Sequence, residues 1–143
     1  MEADPAGLLV DTQLLVWWAT TPEQLKPTTR ELLASSYPPV LFSVVSLWEV
    51  AIKASLKRLN FQIDPGGLRA GLLEEGFTEL PIQSDHVLAV EHLPLIHRDP
   101  HRCAEDGVFD RLLVVQAARE GLRLLTSNRT LASYGDPVHW VAG

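Results

Sequence analysis

The strongest indication of the fold lies in residues 109–128, FDRLLVVQAAREGLRLLTSN. Residues 109–120 follow an amphipathic to buried helical pattern, and Gly121 comes directly after them, as is typical of a helix end. Residues 122–126 form a short apolar strand, and residues 127–134 then predict a short helix. A buried strand that follows a helix in this way is typical of a parallel sheet, because parallel strands need a crossover connection.

The same alternation of strand and helix runs through the rest of the chain. Residues 8–10 are a short apolar run that enters Asp11, and residues 12–19 are an apolar helix. Further strands are predicted at 40–43, 78–80 and 138–141, and further helical segments at 22–25, 29–35, 46–56, 65–75 and 84–92. Residues 94–108 are predicted to form a loop. The pattern predicts a three-layer α/β/α fold around a short central parallel sheet.

Three of the helix starts are predicted from capping residues. Thr28 with Glu31, and Ser46 with Glu49, have the spacing of a capping box, and Ser84 is predicted to cap the helix that follows it.

Length and composition predict one domain over residues 1–143. A chain of this length with 46% hydrophobic residues can bury one core. The single cysteine, Cys103, cannot form an internal disulfide, and the N-terminus lacks the pattern of a secretion signal. No apolar run approaches the roughly 20 residues that span a bilayer. We therefore expect a cytoplasmic protein with no membrane association.

The net charge restricts the kinds of partner. Eighteen acidic and twelve basic side chains give a net charge of -6. This charge argues against a broad basic surface for nucleic acid. It favours a carboxylate site for divalent cations and a partner with positive charge.

Polar residues follow the predicted strands at the end where ligands bind in parallel sheets. Asp11 follows the first strand, Ser43 the second, and Glu49 lies in the helix behind it. Residues 126–128 follow the fourth strand, and Asp110 lies at the head of the helix that leads into it. We expect these side chains to gather at one edge of the sheet.

Asp11, Glu49 and Asp110 together offer only oxygen ligands, which Mg²⁺ and Mn²⁺ prefer. Each also has a structural interpretation. Asp11 suits the N-cap of the first helix, Glu49 suits a capping box or an ion pair with Lys53, and Asp110 suits a helix N-terminus. Spacing by itself leaves both interpretations open.

Three blocks of the sequence resemble PIN-domain toxins of the VapC type. These are LLVDTQLLVWW (8–18), SVVSLWEVAIKASLKRL (43–59) and FDRLLVVQAAREGLRLLTSNRTLASYG (109–135), which match in order and spacing across nearly the whole chain. The resemblance implies a PIN-like fold in which Asp11, Glu49 and Asp110 are the catalytic metal ligands. It also implies cleavage of RNA, a basic antitoxin segment that lies across the site, and a homodimer.

The chain departs from the family pattern at two places. Similar proteins commonly run HRDP directly into FDRLL, whereas here HRCAEDGV (101–108) lies between them. The insertion either displaces Asp99, a further candidate ligand, supplies Glu105 or Asp106 in its place, forms a lid, or is an inert surface bulge. Asn128 stands where the family often has aspartate, which predicts weaker binding of a second metal.

Further residues are candidates for RNA contact. Arg98, Arg102 and Arg111 suit phosphate, although each also suits a surface ion pair. Thr126 and Ser127 suit the orientation of water or phosphate, although capping of the strand end is the structural alternative. The four tryptophans, at 17, 18, 48 and 140, are interpreted as core or interface residues rather than base-stacking platforms.

The residues offer three alternatives to the nuclease function. A zinc site of His97, His101 and Cys103 fits no common zinc module. A phosphatase with an aspartyl-phosphate needs a second aspartate two positions after Asp11, where Gln13 stands. An enzymatically silent PIN-like domain that binds RNA or a regulatory peptide stays open.

Overall fold

A single parallel sheet of five strands organises the protein, whose computed structural model describes residues 5–56, 63–94 and 106–143. The strands are β1 (Leu8–Val10), β2 (Val40–Ser43), β3 (Thr78–Leu80), β4 (Arg123–Thr126) and β5 (Val138–Trp140). Their order across the sheet is β3-β2-β1-β4-β5. All neighbouring strands are parallel, so their carboxyl ends meet at one edge.

Helices occupy the connections between the strands. In the described part of the chain they are α1 (Thr12–Thr20), α2 (Pro27–Ala34), α3 (Val44–Ser55), α4 (Pro65–Glu74), α5 (Ser84–Ala89), α6 (Asp106–Glu120) and α7 (Arg129–Ala132). Two single 3-10 turns lie at Pro22–Gln24 and Val90–His92. None of these helices combines the length and the apolar character that crossing a bilayer requires.

The sheet has a separate apolar core on each face. Leu8 and Val10 point to one face, where they belong to a cluster with Leu14 of α1. Leu9 points to the other face, where its cluster includes Leu113 of α6. Because successive residues of a strand alternate between faces, this short buried strand supplies both cores. The predicted three-layer α/β/α fold is confirmed.

Two of the predicted helix caps are wrong because the helices begin earlier. α2 begins at Pro27, whose fixed φ suits the first helical position, so Thr28 and Glu31 do not form a capping box. α3 begins at Val44, where the Ser43 hydroxyl accepts from the main-chain N–H of Val45. Ser46 therefore lies inside the helix, where its hydroxyl oxygen accepts a hydrogen bond of 2.9 Å from Thr12.

Two further predictions, a helix cap and a helix start, differ from the structure. Gln83, not Ser84, caps α5 through a reciprocal pair of hydrogen bonds with His86. α6 begins at Asp106, so the predicted loop was wrong for residues 106–108, while 101–105 lie outside the described residues. The first turn of a helix can form without periodic burial, and an acidic residue there is favourable to the helix dipole. Asp110 is consequently the fifth residue of α6, whereas the predicted start at residue 109 makes it the second.

Candidate metal centre

Asp11 directly follows β1 at the carboxyl edge of the sheet and is the N-cap of α1. Its side chain is 5% exposed, and one carboxylate oxygen accepts from the main-chain N–H of Leu14 at 2.9 Å. The other oxygen accepts from the hydroxyl of Thr126, the last residue of β4. The structural interpretation of Asp11 as the N-cap of α1 is confirmed. Asp11 therefore has a fixed orientation at the sheet edge.

Thr126 connects Asp11 to the segment after β4. Its hydroxyl donates to Asp11 and accepts from the main-chain N–H of Asn128 at 3.0 Å. The sequence leaves two roles open for Thr126, the orientation of water or phosphate and the capping of the strand end. The structure shows that its hydroxyl holds the carboxylate of Asp11 across two adjacent strands.

Glu49 lies in the second turn of α3 and is 7% exposed. Its carboxylate forms an ion pair with Lys53, with Nζ and Oε2 2.8 Å apart. The sequence predicts this (i, i+4) ion pair as a structural alternative to metal binding by Glu49. The ion pair is confirmed. The capping box of Ser46 with Glu49 is wrong, since Ser43 caps the helix.

The two carboxylates interact electrostatically. Burial raises the pKa of Asp11, the hydrogen bonds from Thr126 and Leu14 lower it, and the nearby charge of Glu49 raises it again, giving a value of about 6. The ionised form of Asp11 is therefore disfavoured without a compensating positive charge. Two buried carboxylates with like charge suit a hard cation that binds through oxygen.

Asp110 lies on the helix that packs beside Glu49. The rings of Trp48 and Phe109, the residues just before Glu49 and Asp110, meet edge to face with centroids 4.9 Å apart. This contact joins α3 to α6 near the candidate site. Within residues 5–56, 63–94 and 106–143, however, no three acidic, histidine or cysteine side chains form a group that would hold a metal ion. The charge of Glu49 is thus close enough to raise the pKa of Asp11, and the service of Asp11, Glu49 and Asp110 as metal ligands stays a prediction.

A buried chain of hydrogen bonds supports the start of α3, and the residue pattern alone does not predict it. The Ser43 hydroxyl donates to Oε1 of Gln116 at 2.5 Å, and Nε2 of Gln116 lies 3.3 Å from Nδ1 of His86. That Nδ1 accepts from the main-chain N–H of Gln83, so the ring hydrogen lies on Nε2 and donates to Glu120 at 2.9 Å. This chain of hydrogen bonds connects α5 and α6 to the start of α3, the helix that carries Glu49.

We expect Gln116→Leu to destabilise the protein by about 2 kcal/mol, because the Ser43 hydroxyl and the carbonyl of Pro81 each lose a hydrogen bond. Urea unfolding measures the change. The control is Gln13→Leu at an exposed position of α1, which we expect to stay within about 0.5 kcal/mol of the parent. Equal stability of the two variants would contradict a stabilising role for the buried chain.

Asn128 caps the short helix α7. Its side-chain oxygen accepts from the main-chain N–H groups of Thr130 and Leu131, at 2.9 and 3.3 Å. The structure thus gives Asn128 a capping role, while its service as an extra metal ligand stays a prediction.

An Asn128→Asp substitution separates these two roles. Aspartate is an equally good N-cap, so we expect unchanged thermal stability. The added negative charge beside the candidate centre is expected to raise Mn²⁺ affinity about tenfold in isothermal titration. Asn128→Ser keeps a capping oxygen without a charge and serves as the control. Unchanged affinity and stoichiometry in the aspartate variant would exclude the ligand role.

Arg111 has a structural role that the sequence does not predict. Its guanidinium donates to the main-chain carbonyls of Val90, Leu93 and Pro94, at 3.0, 3.1 and 2.7 Å. These bonds hold the end of the second 3-10 turn against α6. The guanidinium of Arg111 is therefore engaged in hydrogen bonds within the protein. The remaining candidates in this region lie outside the described residues: Arg98, Asp99, Arg102, and the zinc candidates His97, His101 and Cys103.

Comparison with known proteins assigns the fold. A family model described as "PIN domain" matches residues 8–137, whereas comparison with curated proteins finds no significant match. Two similar solved structures are a chain of VapBC2 from Rickettsia felis bound to a promoter DNA fragment and a chain of VapBC-5 from Mycobacterium tuberculosis, a member of the VapBC family of toxin–antitoxin systems. The first has a TM-score of 0.62 and 15% identity, covering 94% of this chain and 96% of that one. The second has a TM-score of 0.52 and 23% identity, covering 96% and 98%. With the matched model spanning nearly all of its length, this chain belongs to the PIN-domain family.

Proposed function

We propose that the protein is a cytoplasmic Mg²⁺- or Mn²⁺-dependent endoribonuclease and the VapC-type toxin of a toxin–antitoxin pair. The observation that carries this proposal is the buried pair of Asp11 and Glu49 at the carboxyl edge of a PIN-domain sheet. Such a pair has little structural benefit by itself, because burial disfavours the ionised form of Asp11.

The proposed cation is held by Asp11, Glu49 and Asp110, with Asp99 and Asn128 as further candidate ligands. The donor set fits a hard cation, since every member offers oxygen and the two paired carboxylates repel each other without a positive charge. When bound, such a cation neutralises charge on the attacked phosphodiester and activates water for hydrolysis.

The protein's own side chains prepare this site. Thr126 and the N–H of Leu14 fix both oxygens of Asp11, which therefore needs no reorganisation to act. Lys53 pairs with Glu49 and is its counter-ion in the absence of a divalent cation. Ser127, next to Thr126 at the same strand end, is proposed to orient water or phosphate.

An antitoxin with a basic inhibitory segment is the proposed partner. The net charge of -6 favours a basic ligand, and the two similar structures come from VapBC complexes. Trp48 and Ile52 are exposed on one face of α3 at four-residue spacing, and the exposed Leu56 follows directly after the helix. An exposed apolar face of this kind supports contact with a protein, either the antitoxin or the second copy in a homodimer.

Growth and cleavage assays on one set of variants test the proposal. Expression of the parent is expected to arrest growth, and the purified protein is expected to cleave single-stranded RNA with Mn²⁺ or Mg²⁺ but not with EDTA. Glu49→Ala is expected to lose both effects, whereas Glu74→Gln, an exposed acid on α4, keeps them. Cleavage that persists in EDTA, or in Glu49→Ala, would exclude the proposed mechanism.

A second candidate is an enzymatically silent domain that binds RNA or an antitoxin. The ion pair of Lys53 with Glu49 favours it, because that pair already neutralises one carboxylate without a metal. Binding of RNA or peptide with no cleavage at any metal concentration, and no growth arrest, would identify this function.

A further inference from the structure

Arg129 and Trp140 form a surface pair at the carboxyl edge of the sheet. The guanidinium carbon of Arg129 lies 3.9 Å from the centre of the Trp140 ring, which is a cation–π arrangement. The indole N–H donates to the main-chain oxygen of Ser127 at 3.2 Å, and this bond fixes the ring. Trp140 nevertheless remains 36% exposed, so of the two predicted roles, core or interface residue, the core role does not apply.

The strand register places this pair beside the candidate metal centre. Thr126 of β4 is paired with Trp140 of β5, and Leu125 is paired with Val10 of β1. Asp11, which directly follows β1, therefore lies level with Thr126 and Trp140 of the two strands beyond it, and the Thr126 hydroxyl donates to the Asp11 carboxylate. Strands are about 4.8 Å apart, so the backbone of Trp140 lies roughly 10 Å from that of Asp11.

The guanidinium of Arg129 differs from those of other arginines in the described ranges. Arg69 is paired with Glu79, Arg119 with Asp85, and Arg111 donates to main-chain carbonyls. Arg129 shares with Arg30 and Arg123 the lack of a carboxylate partner among the described residues, and it differs from them in its contact with an aromatic face. Stacking leaves the N–H edge of a guanidinium open, and that edge matches the oxygens of a phosphate.

We propose that Arg129 binds a backbone phosphate of single-stranded RNA next to the bond that is cleaved, and that Trp140 is the positioning residue that holds Arg129. This inference rests on the proposed ribonuclease function and adds a substrate-binding residue to it. RNA is favoured over the basic antitoxin segment because Arg129 repels positive charge. In a chain with net charge -6, an arginine beside the carboxylates gives the polyanion a local point of attraction.

Binding is tested by fluorescence anisotropy with a labelled unstructured RNA at several KCl concentrations, in the Glu49→Gln background so that the RNA stays intact. Arg129→Ala is expected to raise Kd about tenfold and to reduce the salt slope by about 0.7, the value for one phosphate contact on a single strand. Trp140→Leu keeps the charge, so a rise of about threefold with little change in slope is expected. Arg30→Ala, at an exposed position on α2, is the matched control and is expected to bind as the parent does.

In steady-state cleavage by otherwise native protein, Arg129→Ala is expected to raise KM about tenfold and to change kcat by less than about twofold. Thermal melts check that each variant is folded. The inference is overturned if Arg129→Ala has the same Kd and salt slope as the parent. It is also overturned if Arg30→Ala loses as much RNA affinity, or if Arg129→Ala weakens only the binding of the antitoxin. If the parent cleaves RNA while Arg129→Ala is unaffected, only this inference fails. If the parent cleaves no RNA with any divalent metal, the proposed function fails, and the anisotropy still reports on Arg129.

Discussion

Replacement of Asp11 by asparagine is expected to lower metal-dependent RNA cleavage at least 100-fold, roughly the upper end of the loss seen for mutation of residues that only support metal ligands. Asparagine keeps the acceptor for the N–H of Leu14, so α1 retains its cap. The charge that would hold the cation disappears, and the oxygen that accepts from the Thr126 hydroxyl is replaced by an amide donor. The measurement is initial cleavage rate at saturating Mn²⁺, together with Mn²⁺ affinity by isothermal titration.

Asp64→Asn is the matched control for this substitution. Asp64 also caps a helix, accepting from the N–H of Gly67, but it contacts neither Asp11 nor Glu49. The RNA cleavage rate of Asp64→Asn is expected to equal that of the parent. Full activity of Asp11→Asn would show that this carboxylate is only a helix cap, and that the assignment of the centre is incorrect.

The metal-free protein is expected to lose about 2.4 kcal/mol of stability as the pH rises from about 4 to 7, through the deprotonation of Asp11 alone. The pKa of Asp11 is about 6 in the folded protein, compared with its usual 3.8, so the folded chain binds this proton more tightly than the unfolded chain. The stability is therefore fully present below pH 3.8 and is lost as the pH rises through about 6.

Asp11→Asn provides the reference for this measurement, because other carboxylates titrate over the same range. Urea unfolding of both proteins without metal is expected to show the variant gaining about 2.4 kcal/mol relative to the parent between pH 4 and 7. Added Mn²⁺ is expected to restabilise the parent at pH 7.5, since a ligand that binds the folded state shifts the unfolding equilibrium. Parallel stability curves for the two proteins would contradict the raised pKa.

Much of the sheet and of the helices could be predicted from the residue pattern. The bounds of β1, β2 and β3 agree with the predicted ones, and α6 ends at Glu120 as predicted. The helix starts were less predictable. A hydroxyl such as that of Ser43 or Ser46 has the same local pattern whether it caps a helix or forms a buried bond inside one, as Ser46 does with Thr12.

The order of residues along the chain was sufficient to identify Asp11, Glu49 and Thr126 as edge residues, because strand alternation and helix turns are set by neighbours a few positions apart. The partners of those residues depend on packing instead. Thr126 bonds Asp11 from 115 positions away, and Gln116 bonds Ser43 from 73 positions away. A buried polar group must find a hydrogen-bond partner wherever the packed core brings one, and no local pattern encodes which residue that is.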